Sequence, residues 1–257
     1  GSGTNDFIIG ASNASGGKGV VYLFWGESMS TTSTLYVDTD AAIQFTAEAP
    51  GDNLGLRVAP AGDMDADGIP DLVLAAPNND VGSSSKSGRA YLFFGDGITG
   101  PTHAAGSDAD HLLNGAGSND LAGHAMDGVG DVDKDGYDDF AISSKGRDDY
   151  GSNSGTVYVI NGGGLPIFRT INLDDAWLAI GGQNAGDRAG HDVEGGGDVD
   201  GDGRGDILVS AYANDAGGSN AGRTYLLMGV NLPIEGGTMT LDSADYSFTG
   251  ETLADAS

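Results

Sequence analysis

The residues best suited to chemistry sit in three matching stretches, GDMDADGIPD from Gly62, GDVDKDGYDD from Gly130 and GDVDGDGRGD from Gly197. Each reads D-x-D-x-D-G-x-x-D from its first aspartate. Side chains at positions 1, 3 and 5 of such a loop converge on one point, Gly at 6 permits a sharp turn, the carbonyl at 7 faces inward and Asp at 9 closes the shell. Hard oxygen donors at that spacing select a divalent cation, Ca²⁺ above all. The expected ligand sets are Asp63, Asp65, Asp67, the Ile69 carbonyl and Asp71; Asp131, Asp133, Asp135, the Tyr137 carbonyl and Asp139; and Asp198, Asp200, Asp202, the Arg204 carbonyl and Asp206. Three calcium ions are therefore expected. An EF-hand also opens with Asp at 1, 3 and 5 and Gly at 6, but its position 12 needs a bidentate Glu. Leu74, Ile142 and Val209 stand there, and the flanks are strand-like.

The loops keep a beat. Asp63 to Asp131 is 68 residues and Asp131 to Asp198 is 67, while Tyr91, Tyr158 and Tyr225 in GRAYLFFG, GTVYVING and GRTYLLMG recur every 67, with Tyr22 in GVVYLFWG a further copy. Such a period marks a repeat architecture. Within a unit the Gly and Asn/Asp/Ser clusters punctuate four short strands, and no segment holds a sustained helical period. DLVLAA and DILVSA are continuously apolar, as strands covered on both faces must be. The expected fold is all-β, a β-propeller-type array of about four four-stranded blades that can be part of a larger ring. It forms one propeller segment over 1–257, with repeats at about 43–95, 110–162 and 176–229 and a split unit made of 245–257 plus 3–26. Four periods of 67 exceed the 257 residues by 11. Either the chain is cut from a longer array, or its ends meet in a four-blade ring lacking one inner strand. The cut array is preferred, because an absent inner strand leaves a ladder unpaired near the axis.

These motifs resemble the FG-GAP repeats of the integrin α-subunit N-terminal β-propeller. The FG element corresponds to Leu54-Gly55, Ala122-Gly123 and Ala189-Gly190, and the GAP element to Ala75-Ala76-Pro77, Ser143-Ser144-Lys145, Ser210-Ala211-Tyr212 and Gly10-Ala11-Ser12. The Phe of FG is nowhere kept and GAP only in part. The resemblance implies a calcium-binding propeller. It says less about activity, since propellers carry many functions.

Composition narrows the partners. With 11 Lys and Arg against 38 Asp and Glu, the net charge of −27 disfavours nucleic acid and anionic membrane surfaces. There is no Cys, hence no disulfide or thiolate site, and no apolar run long enough for membrane insertion. The opening GSGTNDFIIGAS has no basic segment ahead of a long apolar one, so any targeting segment is expected outside this sequence. Calcium in place of disulfides works best where calcium is millimolar, so an extracellular location, secreted or at the cell surface, is expected.

Other signals are declined. Arg204-Gly205-Asp206 spells an adhesion tripeptide, but Asp206 belongs to a loop and should point inward. His124 and His191 recur in register as packing residues, and His103 and His111 are expected at the surface. No nucleophile elbow, Walker loop or zincin motif occurs, and Asn13-Ala14-Ser15 is a glycosylation sequon. The expected function is a non-catalytic, calcium-stabilised extracellular binding or adhesion scaffold that engages a protein or glycan ligand through the polar loops 78–88, 145–155 and 212–222. The alternatives are an accessory propeller domain of a secreted carbohydrate-active enzyme, or a structural spacer or fibre subunit. In that last case a neighbouring chain, or the rest of a longer polypeptide, supplies the missing strand.

Overall fold

The computed structural model describes residues 5–28, 34–233 and 235–251. Its strands, in chain order, are β1 Phe7–Ala11, β2 Val20–Phe24, β3 Ile43–Thr46, β4 Arg57–Gly62, β5 Asp71–Ala76, β6 Arg89–Phe93, β7 Thr102–Ala104, β8 His111–Asn114 and β9 Met126–Gly130. There follow β10 Asp139–Ser144, β11 Thr156–Ile160, β12 Thr170–Asn172, β13 Leu178–Gly181, β14 Ala189–Gly197, β15 Asp206–Ala211, β16 Arg223–Leu227, β17 Gly237–Thr240 and β18 Tyr246–Thr249. They form four sheets, β1-β2-β3-β7, β4-β5-β6-β8-β12, β9-β10-β11-β13-β17 and β14-β15-β16-β18. The architecture is all-β, with each sheet a blade built on an antiparallel meander.

Sequence repeat and sheet are out of phase by one strand. The first strand of each repeat closes the blade of the repeat before it: β3 pairs with β2, β8 with β6, β13 with β11 and β18 with β16. The two parts of the expected split unit accordingly lie in different sheets, since β18 closes the last blade and β1-β2 open the first. Gly3, Thr4 and residues 252–257 of that unit lie outside the described residues. A second feature was not expected from sequence. The connection that leads into each outer strand also adds a parallel edge strand to the blade before it, with β7 on β3, β12 on β8 and β17 on β13. Two blades are therefore five-stranded. The first blade, by contrast, has no counterpart of the inner strands β4, β9 and β14 among the described residues.

The core is a series of blade-to-blade layers, which explains the uninterrupted apolar strands. In β6, Ala90 and Leu92 face the third blade, packing with Phe140 and Ile142, while Tyr91 and Phe93 face the first, packing with Val21 and Phe45. With both faces covered, alternation would place polar groups in a dry layer. The repeated tyrosines are core: Tyr22, Tyr91, Tyr158 and Tyr225 are all buried. Their hydroxyls escape burial cost where they reach a polar partner, Tyr91 donating to Glu48 at 2.9 Å and Tyr225 to Gln183 at 2.7 Å. The last blade has nothing over its far face among the described residues, and Tyr246 and Phe248 there are exposed.

Consecutive blades are joined by backbone. Leu54, Ala122 and Ala189, the first residues of the FG elements, donate to the carbonyls of Lys18, Ser87 and Ser154 at 2.9, 2.9 and 2.8 Å. Such close approach requires the glycines Gly19, Gly88 and Gly155 that open the Tyr strands of the first three blades. Gly155 has φ 77°, and a Cβ there would lie 2.1 Å from the Ala189 carbonyl oxygen; at Gly222, φ 81°, the nearest atom is 3.3 Å away. Gly155→Ala is therefore expected to lower stability by about 2 kcal/mol or more, and Gly222→Ala by only about 1 kcal/mol. Urea denaturation of the two variants checks the difference.

Candidate metal centres

The three aspartate loops connect β4 to β5, β9 to β10 and β14 to β15, all at the same end of the inner hairpins. In each, an antiparallel pair must reverse within nine residues, and two left-handed positions make the turn. Position 6 is Gly68, Gly136 and Gly203, with φ 87°, 95° and 85°. Position 4 is left-handed too, with Ala66, Lys134 and Gly201 at 58°, 67° and 79°. Only the third loop has the residue that adopts this conformation without cost.

The carboxylates then organise the loop from within. Asp63 accepts from the amides of Asp67 and Gly68 at 3.0 and 2.9 Å, and Asp131 from Asp135 and Gly136 at 3.1 and 3.0 Å. Asp198 accepts from Gly201 and Gly203 at 2.8 and 2.9 Å. At position 9 each aspartate is buried and reaches two backbones. Asp71 accepts from Met64 and Gly95, Asp139 from Val132 and Gly162, and Asp206 from Val199 and Gly229, all at 2.7–3.0 Å. Position 9 thus ties its own loop to the end of the Tyr strand. Adjacent loops are linked as well: Asp138 donates its amide to the Asp63 carbonyl at 3.1 Å, and Gly205 to the Asp131 carbonyl at 3.0 Å.

Positions 1, 3 and 9 come together. Asp63, Asp65 and Asp71, then Asp131, Asp133 and Asp139, then Asp198, Asp200 and Asp206 each bring carboxylate oxygens within 4.8 Å of one another. Position 5 does not join these trios. Asp67, Asp135 and Asp202 instead accept the amide of position 7, from Ile69, Tyr137 and Arg204, at 2.7, 2.9 and 2.8 Å. Asp67 forms a separate trio with Asp65 and Asp96. Asp96 and Asn161, which donates to Asp133 at 2.6 Å, were not marked by sequence. Both follow the Tyr strand, whose end returns to the loop of its own blade.

Three carboxylates within such a distance repel one another in partly dry surroundings. Burial, outweighing two backbone hydrogen bonds and reinforced by Asp65 and Asp63, pushes the Asp71 carboxyl up to about 6. Burial in the same way, with Asp133 and Asp135 adding, pushes Asp139 up to about 7. Asp65 and Asp133 are also raised, chiefly by burial. An all-oxygen, anionic donor set whose members resist ionising together suits a hard divalent cation, and these clusters could hold one.

A pH dependence follows. Without metal, Asp71 and Asp139 bind protons in the fold up to about 6 and 7, but from the ordinary carboxylate value of 3.8 upward they are ionised in the unfolded chain. Between those limits the folded state holds more protons, so stability falls as pH rises. The metal-free protein is thus expected to melt at a higher temperature at pH 5 than at pH 8. The gain from added calcium runs the other way and shrinks as pH drops through 7 to 6. Thermal scans with chelator and with calcium across that range test both slopes.

The remaining residues fall out as follows. Asp206 points inward as expected, and the Arg204 guanidinium donates to the Val132 carbonyl at 3.0 Å. His111 is a correction. It is buried in β8 with its ring 5.7 Å from Phe94, and His103 stacks on Phe45 at 5.3 Å. Both lie where a connection re-enters the sheet, and a polar ring packed among aromatics gives no local sequence sign.

The FG-GAP repeat family matches residues 55–93, 127–160 and 189–227, each span running from an inner strand through an aspartate loop to the Tyr strand. The chain carries three FG-GAP repeats. Among its relatives, integrin alpha-PS2 of Drosophila melanogaster is 29% identical over 176 residues, 66% of this chain and 12% of that protein. Integrin alpha-5 of Xenopus laevis is 26% identical over 240 residues, 90% of this chain and 20% of that protein. Phosphatidylinositol-glycan-specific phospholipase D of Rattus norvegicus is 29% identical over 240 residues, 89% of this chain and 26% of that protein. The chain therefore spans no more than about a quarter of these relatives. Among the described residues, no helix is long and apolar enough to cross a membrane.

Proposed function

We propose that this chain is a calcium-stabilised, non-catalytic binding scaffold of an extracellular adhesion-type protein. The observation that carries the reading is the convergence of positions 1, 3 and 9 at three equivalent places. Each trio joins both strands of an inner hairpin and, through position 9, the end of the Tyr strand, so a cation there cross-links three strands of a blade. The ligand sets are those expected from the motif, with positions 1, 3 and 9 as the core. Position 5 and the carbonyl of position 7 complete the shell. The integrin alpha relatives support the extracellular, adhesive part of the reading.

The loops 78–88, 145–155 and 212–222 suit ligand contact because they are polar yet held in shape. Asp80 accepts from the Lys86 amide at 2.7 Å, Asp148 from Asn153 at 2.6 Å and Asp215 from Asn220 at 2.7 Å, and each donor residue is left-handed. Rigid loops lose little entropy on binding. An array of glycans and matrix proteins, probed with labelled chain in calcium and in chelator, tests this. The reading expects saturable calcium-dependent binding that is weakened by Asp148→Ala and Asp215→Ala. Loss of calcium dependence, or binding by both variants equal to that of the parent chain, contradicts it. The phospholipase relative favours a second reading, an accessory domain beside a catalytic one. Hydrolysis of a glycolipid by the chain itself would overturn the non-catalytic assignment.

A further inference from the structure

With 11 Lys and Arg against 38 acids, a place where cations gather without ion-paired carboxylates calls for a reason. Such a place lies at the opposite end of the inner hairpins from the aspartate loops. Lys145 Nζ is 2.9 Å from His124 Nε2, the His124 ring is 5.4 Å from that of His191, and His191 is 4.2 Å from Tyr212. Arg188 donates to the Tyr212 hydroxyl, with its guanidinium 5.7 Å over the ring. Arg57 stands within electrostatic reach of both histidines and of Lys145. Among the described residues, none of Arg57, Lys145 and Arg188 forms an ion pair. His191 Nδ1 is buried without a hydrogen-bond partner. Asp192 is the carboxylate that acts on His191, and Glu194 lines the same groove.

The repeat does not demand these residues. In the first repeat, Leu56 stands where the later ones have His124 and His191, Pro77 where they have Lys145 and Tyr212, and Asn53 where they have Leu121 and Arg188. Asn53, Leu121 and Arg188 are all left-handed, at φ 59°, 58° and 55°. Asn tolerates that conformation better than the Leu and Arg of the later repeats. The crowding is felt: burial, then Lys145, His191 and Arg57, pushes the His124 ring down to about 4. Burial, then Arg188 and Arg57, lowers Lys145. A bound anion would relieve the repulsion these groups share.

We propose that Arg57, Lys145 and Arg188, grouped around the His191–Tyr212 pair, bind an oxyanion carried by the ligand: a sulfate, phosphate or carboxylate group. Lys145 and Tyr212 are the first residues of the loops 145–155 and 212–222, so the inference rests on the reading of those loops as ligand-facing and adds the charge of what they meet. Arg188 supplies a planar fork of donors and Lys145 a point charge, the pairing suited to oxyanions.

The test is an NMR titration of the histidine ring signals of the whole chain in saturating calcium. Sodium sulfate is added against sodium chloride of equal ionic strength. His124 and His191 are expected to shift saturably while His103 and His111 do not. Arg188→Asn, which takes the residue of the first repeat, and Lys145→Gln should each weaken sulfate binding by about tenfold, or about 1.4 kcal/mol. Phosphate and acetate arms separate the sources: a response to phosphate assigns a tetrahedral anion, a response to acetate a carboxylate, and either supports the site. Shifts no larger than those with chloride for all three anions, or unchanged affinity in both variants, overturn it. The calcium-dependent melting temperature of the same samples reports on the scaffold separately.

Discussion

Chelating divalent ions is expected to lower the melting temperature by about 8 to 16 °C at neutral pH. If free calcium lies about tenfold above each dissociation constant, each site adds about 1.4 kcal/mol and three add about 4 kcal/mol. For a chain of this size each kcal/mol shifts the transition by about 2 to 4 °C. The physical source is local. The trios Asp63/Asp65/Asp71, Asp131/Asp133/Asp139 and Asp198/Asp200/Asp206 hold carboxylate oxygens within 4.8 Å of one another, and a cation turns their repulsion into a tie between strands. With no cysteine in the sequence, no disulfide shares that task. Calorimetry in calcium and in chelator measures the shift, and identical transitions would remove calcium from the account of stability.

Asp139→Ala is expected to be the most damaging single substitution in the loops, costing about 3 to 5 kcal/mol even without calcium. Asp139 is fully buried, and its two oxygens take the Val132 and Gly162 amides at 2.8 and 3.0 Å. Truncation leaves both donors buried and unpaired. Asp139→Asn keeps the volume and one acceptor, so it should cost less. In chelator near pH 6 it should approach the parent protein, whose own carboxyl there is protonated, with its pKa up at about 7. Asp135→Asn provides the contrast. Asp135 is exposed and outside the trio, so its effect on the metal-free fold should stay within about 0.5 kcal/mol. Urea titrations of the three variants in chelator rank them.

The order of effects follows what was readable along the chain and what was not. The spacing of Asp63, Asp131 and Asp198 and the recurrence of Tyr22, Tyr91, Tyr158 and Tyr225 expose the period, because a repeated packing problem is solved each time with the same residue types. Strands β5, β10 and β15 are legible for a related reason: apolar runs after a turn motif have few other uses. The sheet boundaries are not legible. Pairing β3 with β2 rather than β4 depends on which edge is free after the chain has doubled back, and a period cannot show its own phase. The parallel strands β7, β12 and β17 are hidden too, being three or four residues with no apolar pattern. At the site, positions 1, 3 and 9 are legible from the motif, whereas Asp96 and Asn161 reach the loops only through the fold. His111 shows the limit from the other side, since its burial against Phe94 comes from a connection that sequence does not trace.

The central claim is that three loops each hold one calcium ion, and native mass spectrometry in millimolar calcium tests it most directly. The account predicts three ions on the parent chain, falling to two when Asp133 and Asp139 are both replaced by Asn, with the other two sites keeping their occupancy. A parent chain carrying no bound calcium, or a variant that still carries all three ions, would contradict it.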